Sequence, residues 1–191
     1  MRYKPDHREK SHARILAAAG QSFRAYGYGG IGVDGLARAA EVTSGAFYGH
    51  FASKSDAFKA AVIDGLEELR AGVEFLQKEH PNEWLKVFAE FYLGPKRTCD
   101  ICQTCTLPSL SPEVERSGND IRAAYETKLQ SVVATVAAGL SGATASSRRA
   151  KAWAILALLA GGLAMSRAVP VKRTGDEIAS AVLNAALAMS Q

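Results

Sequence analysis

Residues 32–58 read GVDGLARAAEVTSGAFYGHFASKSDAF and carry the most specific helix and turn signals of the chain. It predicts two short helices, over about residues 33–40 and 43–50, with Thr43 as the capping residue of the second. A tight break at residues 41–42 separates them, which is the spacing of a helix-turn-helix. Ser53 and Asp56 then form an S-x-x-D capping box, which predicts that a long helix begins there.

A helix-turn-helix of this kind suits the major groove of DNA. Its first helix braces across the DNA backbone, and the second inserts its N-terminal residues into the groove. Small and polar residues at that position allow a close approach to base edges, and a lysine at the start of the next helix adds charge where free N–H groups already favour an anion. We therefore expect DNA contacts from Thr43, Ser44, Gly45, Ala46, Tyr48, His50 and Lys54.

The net charge is concentrated in the same part of the chain. Residues 1–60 hold nine Lys/Arg and five Asp/Glu, whereas residues 61–191 hold fourteen of each. A basic region favours a polyanionic partner, because its cations release counterions from phosphates. A solvated basic surface is the alternative interpretation of this modest excess.

Helical spacing of apolar residues continues along the chain, so we expect an all-α protein with a DNA-binding domain over residues 1–55 and a second domain over 56–191. The longest uncharged apolar stretch, residues 152–165, is shorter than the roughly 20 residues of a membrane-spanning helix. The N-terminus has no apolar leader segment, so we expect a cytoplasmic protein with reduced cysteines.

The motifs Ser44-x-Gly-Ala-Phe-Tyr-x-His-Phe and Ser53-Lys54-x-x-x-Phe58 resemble the DNA-binding domain of the TetR family of bacterial transcriptional repressors. The resemblance covers about residues 10–62. It implies an all-helical homodimer that binds a palindromic operator and is released from it by a small-molecule inducer. It also implies that residues 43–46 form the groove-facing start of the recognition helix. Gly32 departs from the family, which often has a phosphate-contacting hydroxyl residue there.

The C-terminal two-thirds are expected to dimerise and to bind the inducer. Two apolar helices carry the candidate dimer residues, although the same pattern is typical of an ordinary core. These are Trp153, Leu156, Leu159, Leu163, Ile178, Val182, Leu183 and Leu187. A pocket is expected between the long helix and the helices after Pro81, lined by aromatic residues that serve in a core equally well. These are Phe75, Trp84, Phe88, Phe91, Tyr92 and Tyr125.

The three cysteines, Cys99, Cys102 and Cys105, follow a C-x-x-C-x-x-C spacing. An iron–sulfur cluster normally needs a fourth thiolate and zinc would need a ligand such as the distant His80, so we expect no metal and no cofactor. Neighbouring Lys96 and Arg97 are expected to lower a thiol pKa. The segment is similar to a cysteine-containing segment of some TetR-type regulators, a few of which respond to electrophiles. Inert, packed cysteines are the alternative.

The main functional prediction is therefore a ligand-responsive, DNA-binding transcriptional regulator that is not an enzyme. A thiol-based sensor of electrophiles or oxidants on the same scaffold is one alternative. A helical thiol enzyme and a helical adaptor for another protein are alternatives from other classes, and both leave the basic helix-turn-helix unexplained.

Overall fold

The computed structural model describes residues 5–189, with side chains from residue 8 onward. Within this range the chain forms helices and connecting turns and no strand, which confirms the all-α prediction. The helices are α1 (Pro5–Tyr26), α2 (Val33–Ala39), α3 (Ser44–Tyr48), α4 (Lys54–Glu79), α5 (Trp84–Leu93), α6 (Pro95–Thr98), α7 (Thr106–Glu115), α8 (Asn119–Ala138), α9 (Ala145–Ala168) and α10 (Lys172–Ala188), with a 3₁₀ turn at Ile101–Gln103.

Local hydrogen bonds explain where the first helices begin and end. Thr43 Oγ1 accepts from the Ala46 N–H at 3.1 Å, and Ser53 Oγ accepts from the Asp56 N–H at 3.0 Å. Both bonds satisfy N–H groups that have no partner within the helix, as the capping predictions required. Gly27 follows α1 with a φ of +71°, in the left-handed region that favours glycine.

The first of two hydrophobic cores joins α1, α2, α3 and the start of α4. Fully buried Phe23, Phe47 and Phe58 lie in this core, and the rings of Phe23 and Phe58 meet edge to face with centroids 5.2 Å apart. Helix α7 also contributes, through Leu110 and Val114. The candidate DNA-binding unit, which is α1–α3 with the start of α4, is therefore packed against part of the C-terminal region rather than standing alone.

The second core is formed by the later part of α4 with the helices that follow it. Leu66 and Val73 of α4 are fully buried there against residues of α5, α8, α9 and α10. The two cores divide along α4 between Val62 and Leu66, beyond the domain boundary expected at residues 55–56. A helix of 26 residues that enters both cores connects them mechanically.

Helix α7 contains a proline in its interior. Ser111 and Pro112 have the pattern of a helix start, but Pro112 lies inside α7, which begins at Thr106. The Ser111 side chain instead hydrogen-bonds the Tyr125 hydroxyl at 2.7 Å. No helix in the described part of the chain is long and apolar enough to cross a membrane.

Candidate nucleic-acid interface and ligand cavity

The start of α3 is an open surface held in place by one buried ring. Thr43, Gly45 and Ala46 are exposed, and Tyr48 is 54% exposed at the other end of the helix. Phe47 is fully buried and anchors α3 to the first core. The turn that sequence analysis assigned to base edges is thus accessible, while a single aromatic residue fixes its orientation.

Ser44 contacts α2 rather than standing free. Its hydroxyl donates a hydrogen bond to Asp34 Oδ1 at 2.6 Å, and Ser44 is half-buried. This bond ties the first turn of α3 to the first turn of α2. It also brings the Asp34 carboxylate beside the predicted groove-facing turn. Sequence analysis missed this contact, although the position of Asp34 at the start of α2 could be predicted. Gly32, the N-cap of α2, provides no side-chain cap.

Lys54 and His50 lie on the flank of the same surface. The Lys54 ammonium is 4.3 Å from the centroid of the Tyr28 ring, a cation–π contact that fixes it at the N-terminus of α4. The His50 ring is 5.7 Å from the ring of His12. Burial, followed by the charges of His12 and Arg8, lowers the pKa of His50 below its ordinary value. A phosphate beside this cluster would oppose that shift.

A cavity of about 350 Å³ lies between α4 and α5, with the segment before α7 along one wall. Four of the six predicted pocket aromatics line it, namely Phe75, Phe88, Phe91 and Tyr92. The other lining residues are Gly65, Glu68, Leu69, Gly72, Leu76, Val87, Lys96, Thr104, Cys105 and Thr106.

Trp84 and Tyr125 are corrections to the predicted pocket. The Trp84 indole Nε1 donates to the Gly139 carbonyl at 2.9 Å, which ties α5 to the end of α8. Tyr125 contacts both hydrophobic cores and hydrogen-bonds Ser111. Neither side chain lines the cavity, because each closes a junction between helices instead.

Two buried hydroxyls of the cavity have no hydrogen-bond partner among the described residues. They are the Tyr92 hydroxyl and Thr104 Oγ1. Burial, followed by the neighbouring Cys105 thiol, raises the pKa of Tyr92 well above its ordinary value, so the phenol keeps its proton. Sequence analysis missed Thr104, since it lies in an irregular segment without a periodic pattern.

Arg24 of α1 reaches the wall of the cavity. Its Nε donates to the Cys102 carbonyl at 2.7 Å, and its Nη1 donates to Thr106 Oγ1 at 3.2 Å. Thr106 lines the cavity, so these bonds join the DNA-binding unit to a cavity wall. Sequence analysis missed this contact, which joins residues about 80 positions apart.

The cysteines do not share one helix. Cys99 follows the end of α6, and Cys105 is the N-cap of α7. Burial raises the pKa of Cys105, and hydrogen bonding to Asp100 raises that of Cys102. The expected lowering of a thiol pKa is therefore wrong for these two. The nearby cations are otherwise engaged, since Lys96 Nζ donates to the Gln103 carbonyl at 2.8 Å and Arg97 pairs with Asp176 at 2.5 Å.

The candidate dimer residues divide into two groups. Leu156, Leu159 and Leu163 are buried in the second core of their own chain, so they do not face a partner, and this part of the prediction is wrong. These three leucines of α9 pack against the interior of their own chain. Trp153 is exposed on α9, and the candidates on α10 are half-buried: Ile178, Val182, Leu183 and Leu187.

No group of three or more His, Cys, Asp or Glu side chains is arranged to hold a metal ion in the part of the chain that the structure describes.

Comparison with known proteins matches residues 15–61 to the family described as bacterial regulatory proteins, tetR family. No curated protein sequence matches the chain. The reduced form of NemR from E. coli is 20% identical, with a TM-score of 0.75 over 92% of this chain and 96% of that chain. SCO4454, a TetR-family transcriptional regulator from Streptomyces coelicolor, is 19% identical, with a TM-score of 0.77 over 95% and 94%.

A TetR-family transcriptional regulator from Cytophaga hutchinsonii is 17% identical, with a TM-score of 0.77 over 96% of both chains. At identities of 17–20% this likeness shows a shared fold over 92–96% of the chain. The sequence match of residues 15–61 covers the same helices that carry the candidate DNA interface.

Proposed function

We propose that this chain is a member of the TetR family of bacterial transcriptional regulators, which the match of residues 15–61 supports, and that it is a repressor that a small-molecule inducer releases from a palindromic operator. The observation that carries the proposal is the accessible first turn of α3, fixed by the buried Phe47 ring. An enzyme has no use for this arrangement, whereas a DNA reader requires it. Its site of action is the bacterial DNA, and we therefore place it in the cytoplasm.

Lys54 provides the test of DNA binding. At the N-terminus of α4 it is suited to bind a phosphate, and a phosphate contact strengthens binding to any sequence. Lys54→Ala is expected to weaken binding to specific and non-specific duplexes alike and to reduce the slope of log affinity against log salt by about one unit. The matched control is Lys78→Ala, which removes an exposed lysine near the far end of α4. Equal effects of the two variants would contradict the proposed interface.

Dimerisation is proposed through the open face of α9 together with α10. Trp153, Ala157, Gly161 and Met165 are exposed on α9, and no charged residue lies between Lys151 and Arg167. A continuous apolar face of this kind marks a surface that binds another protein. A second copy of the chain fits it best, because a palindromic operator needs two reading heads.

Gly161 allows the dimer to be tested without disturbing the monomer. A Cβ added at Gly161 would meet nothing within 4 Å in the isolated chain. Gly161→Arg is therefore expected to preserve helicity, to produce a monomer in light scattering and to weaken operator binding. The control is Ala134→Arg, at an exposed position of α8. A Gly161→Arg protein that remains a dimer would contradict the proposed interface.

Induction is proposed to begin in the cavity between α4 and α5. An inducer shifts the conformational equilibrium only if it binds the DNA-incompetent state more tightly. Two connections lead from the cavity to the DNA-binding unit: α4, which enters both cores, and Arg24, which bonds the segment of Cys102 and Thr106. Movement of either would change the separation of the two recognition helices on the operator.

The thiol-based sensor remains a second candidate because Cys105 lines the same cavity. Burial raises the pKa of its thiol, so a reaction requires an electrophile that the cavity first holds. Cys105→Ser separates the two mechanisms. Loss of the response to an electrophile with retained operator binding would favour the sensor, and an unchanged response would favour reversible binding.

A further inference from the structure

The body of the cavity is apolar and opens to solvent beside two phenylalanines. Leu69, Leu76 and Val87 contribute aliphatic surface. Phe75 and Phe91 also line the cavity and are 61% and 46% exposed, so they mark its mouth. Large aromatic side chains left exposed around a cavity are typical of a site that an apolar molecule covers.

The charges of the lining are few and opposed. Glu68 is exposed, and the half-buried Lys96 donates to the Gln103 carbonyl at 2.8 Å, with its ammonium 6.0 Å from the centroid of the Phe91 ring. One carboxylate and one ammonium give the lining no net charge, and the ammonium already has an acceptor. An ionised ligand entering the cavity would lose its hydration without gaining a dedicated partner.

The interior supplies two hydroxyls that lack partners. Tyr92 is 3% exposed and Thr104 is 5% exposed, and neither hydroxyl has a hydrogen-bond partner in the described part of the chain. Thr106, also on the lining, differs because its Oγ1 accepts from Arg24. Buried polar groups are nearly always paired, so two unpaired hydroxyls on residues that line one cavity point to an occupant that pairs them once a side-chain rotation turns them towards it. Because Tyr92 stays protonated, its hydroxyl can donate, and the adjacent Cys105 thiol, which adds to the effect of burial in raising the pKa of Tyr92, is only a weak competing acceptor.

We propose that the cavity binds an uncharged, mainly apolar organic molecule that carries a carbonyl or similar acceptor oxygen, which receives hydrogen bonds from Tyr92 and Thr104. The apolar walls hold the body of this molecule, and the two hydroxyls distinguish it from a plain hydrocarbon. The identification of this molecule as the inducer rests on the proposed function, but the binding chemistry does not.

Three naphthalene probes of similar shape test the proposal on the full-length protein by titration calorimetry. They are 2-acetylnaphthalene, which has a neutral carbonyl, 2-ethylnaphthalene, which has none, and 2-naphthoate, which is ionised. We expect the ketone to bind about tenfold more tightly than the hydrocarbon, because two hydrogen bonds that each contribute a factor of about three together supply about tenfold. We expect the carboxylate to bind most weakly of the three.

Tyr92→Phe and Thr104→Val remove one hydroxyl each with little change in shape. Each is expected to reduce the tenfold preference for the ketone, while binding of 2-ethylnaphthalene stays the same. Since Tyr92→Phe removes an unpaired buried hydroxyl, it is also expected to leave the unliganded protein at least as resistant to thermal unfolding. The ketone is not an electrophile that alkylates thiols, so Cys105 does not confound the comparison.

Different failures refute different claims. Equal affinity for ketone and hydrocarbon, tightest binding of the carboxylate, or an unchanged preference in both variants would overturn the proposed ligand class. Absence of binding by all three probes would overturn the cavity as a site for such molecules. Selective binding of the ketone without any effect on operator binding would leave the ligand class standing and refute induction through this cavity.

Discussion

Two glycines of α4 that line the cavity are expected to respond to the same substitution in opposite directions. A Cβ at Gly65 would lie 2.0 Å from Thr106 Oγ1 and 2.7 Å from Thr106 Cβ, whereas a Cβ at Gly72 would meet nothing within 4 Å. Both positions lie in the helix interior, seven residues apart. Gly65→Ala and Gly72→Ala are thus a matched pair that isolates the packing of α4 against the start of α7.

The magnitudes follow from these distances. Alanine in place of glycine favours a helix interior by about 0.5–1 kcal/mol, and Gly72→Ala should gain this amount. At Gly65 the new methyl group must be separated from Thr106 by roughly 1.5 Å more to reach ordinary contact. Such overpacking costs about 1–3 kcal/mol. It also strains the bond that Thr106 accepts from Arg24. The helix preference offsets part of this cost, so we expect Gly65→Ala to destabilise the protein by about 1–2 kcal/mol and the two variants to differ by about 1.5–3 kcal/mol.

Denaturant unfolding followed by circular dichroism measures this gap, at one fixed protein concentration because a dimer's stability depends on concentration. The slope with denaturant should be the same for both variants, so that the midpoints report stability alone. If both variants stabilised the protein equally, the close packing of Gly65 on Thr106 would be refuted, and with it the contact between α4 and the wall that Arg24 holds.

Three further predictions concern pH, a turn and the link between domains. Hydrogen bonds from Arg70 and Lys128 lower the pKa of Glu67 from 4.5 to about 2, so its stabilising effect is complete above pH 4.5 and is lost as the pH falls towards 2. Glu67→Gln should therefore reduce the loss of stability between pH 4.5 and 2. An unchanged dependence of stability on pH would contradict the ion pairs of Glu67 with Arg70 and Lys128. Gly27→Ala places a side chain at a φ of +71° and a Cβ 2.7 Å from Glu113 Oε1. Gly27→Ala should lower the free energy of unfolding by about 1 kcal/mol or more, measured by thermal unfolding. Gly29→Ala, where the new Cβ would meet nothing within 4 Å, should be nearly neutral. Equal effects of the two variants would refute the strain expected at residue 27. Arg24→Met removes both hydrogen bonds to the cavity wall. It should reduce the factor by which the ligand weakens operator binding, which fluorescence anisotropy measures. An unchanged factor would show that Arg24 does not transmit the signal.

The local features of the DNA-binding unit could be predicted because their causes are local. The caps of α3 and α4 depend on Thr43 and Ser53 and on N–H groups three residues away. The burial of Phe47 follows from helical spacing within one short motif. Each feature is encoded in fewer than ten consecutive residues, so one sequence sufficed.

The errors have the opposite origin, since they depend on distant parts of the chain. The periodicity that places Leu159 on an apolar face does not tell whether that face meets the chain's own core or a second copy. Likewise, no pattern near Thr104 indicates that it lines a cavity, and none near Arg24 indicates that it bonds the cavity wall, because the neighbours of both residues lie far away in the sequence. Pro112 has the pattern of a helix start and lies inside α7, whose course is fixed by burial of Leu110 and Val114.

The proposed function depends on the first turn of α3 reading base edges. Selection of preferred duplexes from a random-sequence library tests it most directly, with the wild-type chain and with Ala46→Gln compared under the same salt. We expect an inverted repeat for the wild type, and for the variant a repeat altered at the same symmetric positions in both halves. Two identical preferred sequences, with undiminished affinity, would contradict it.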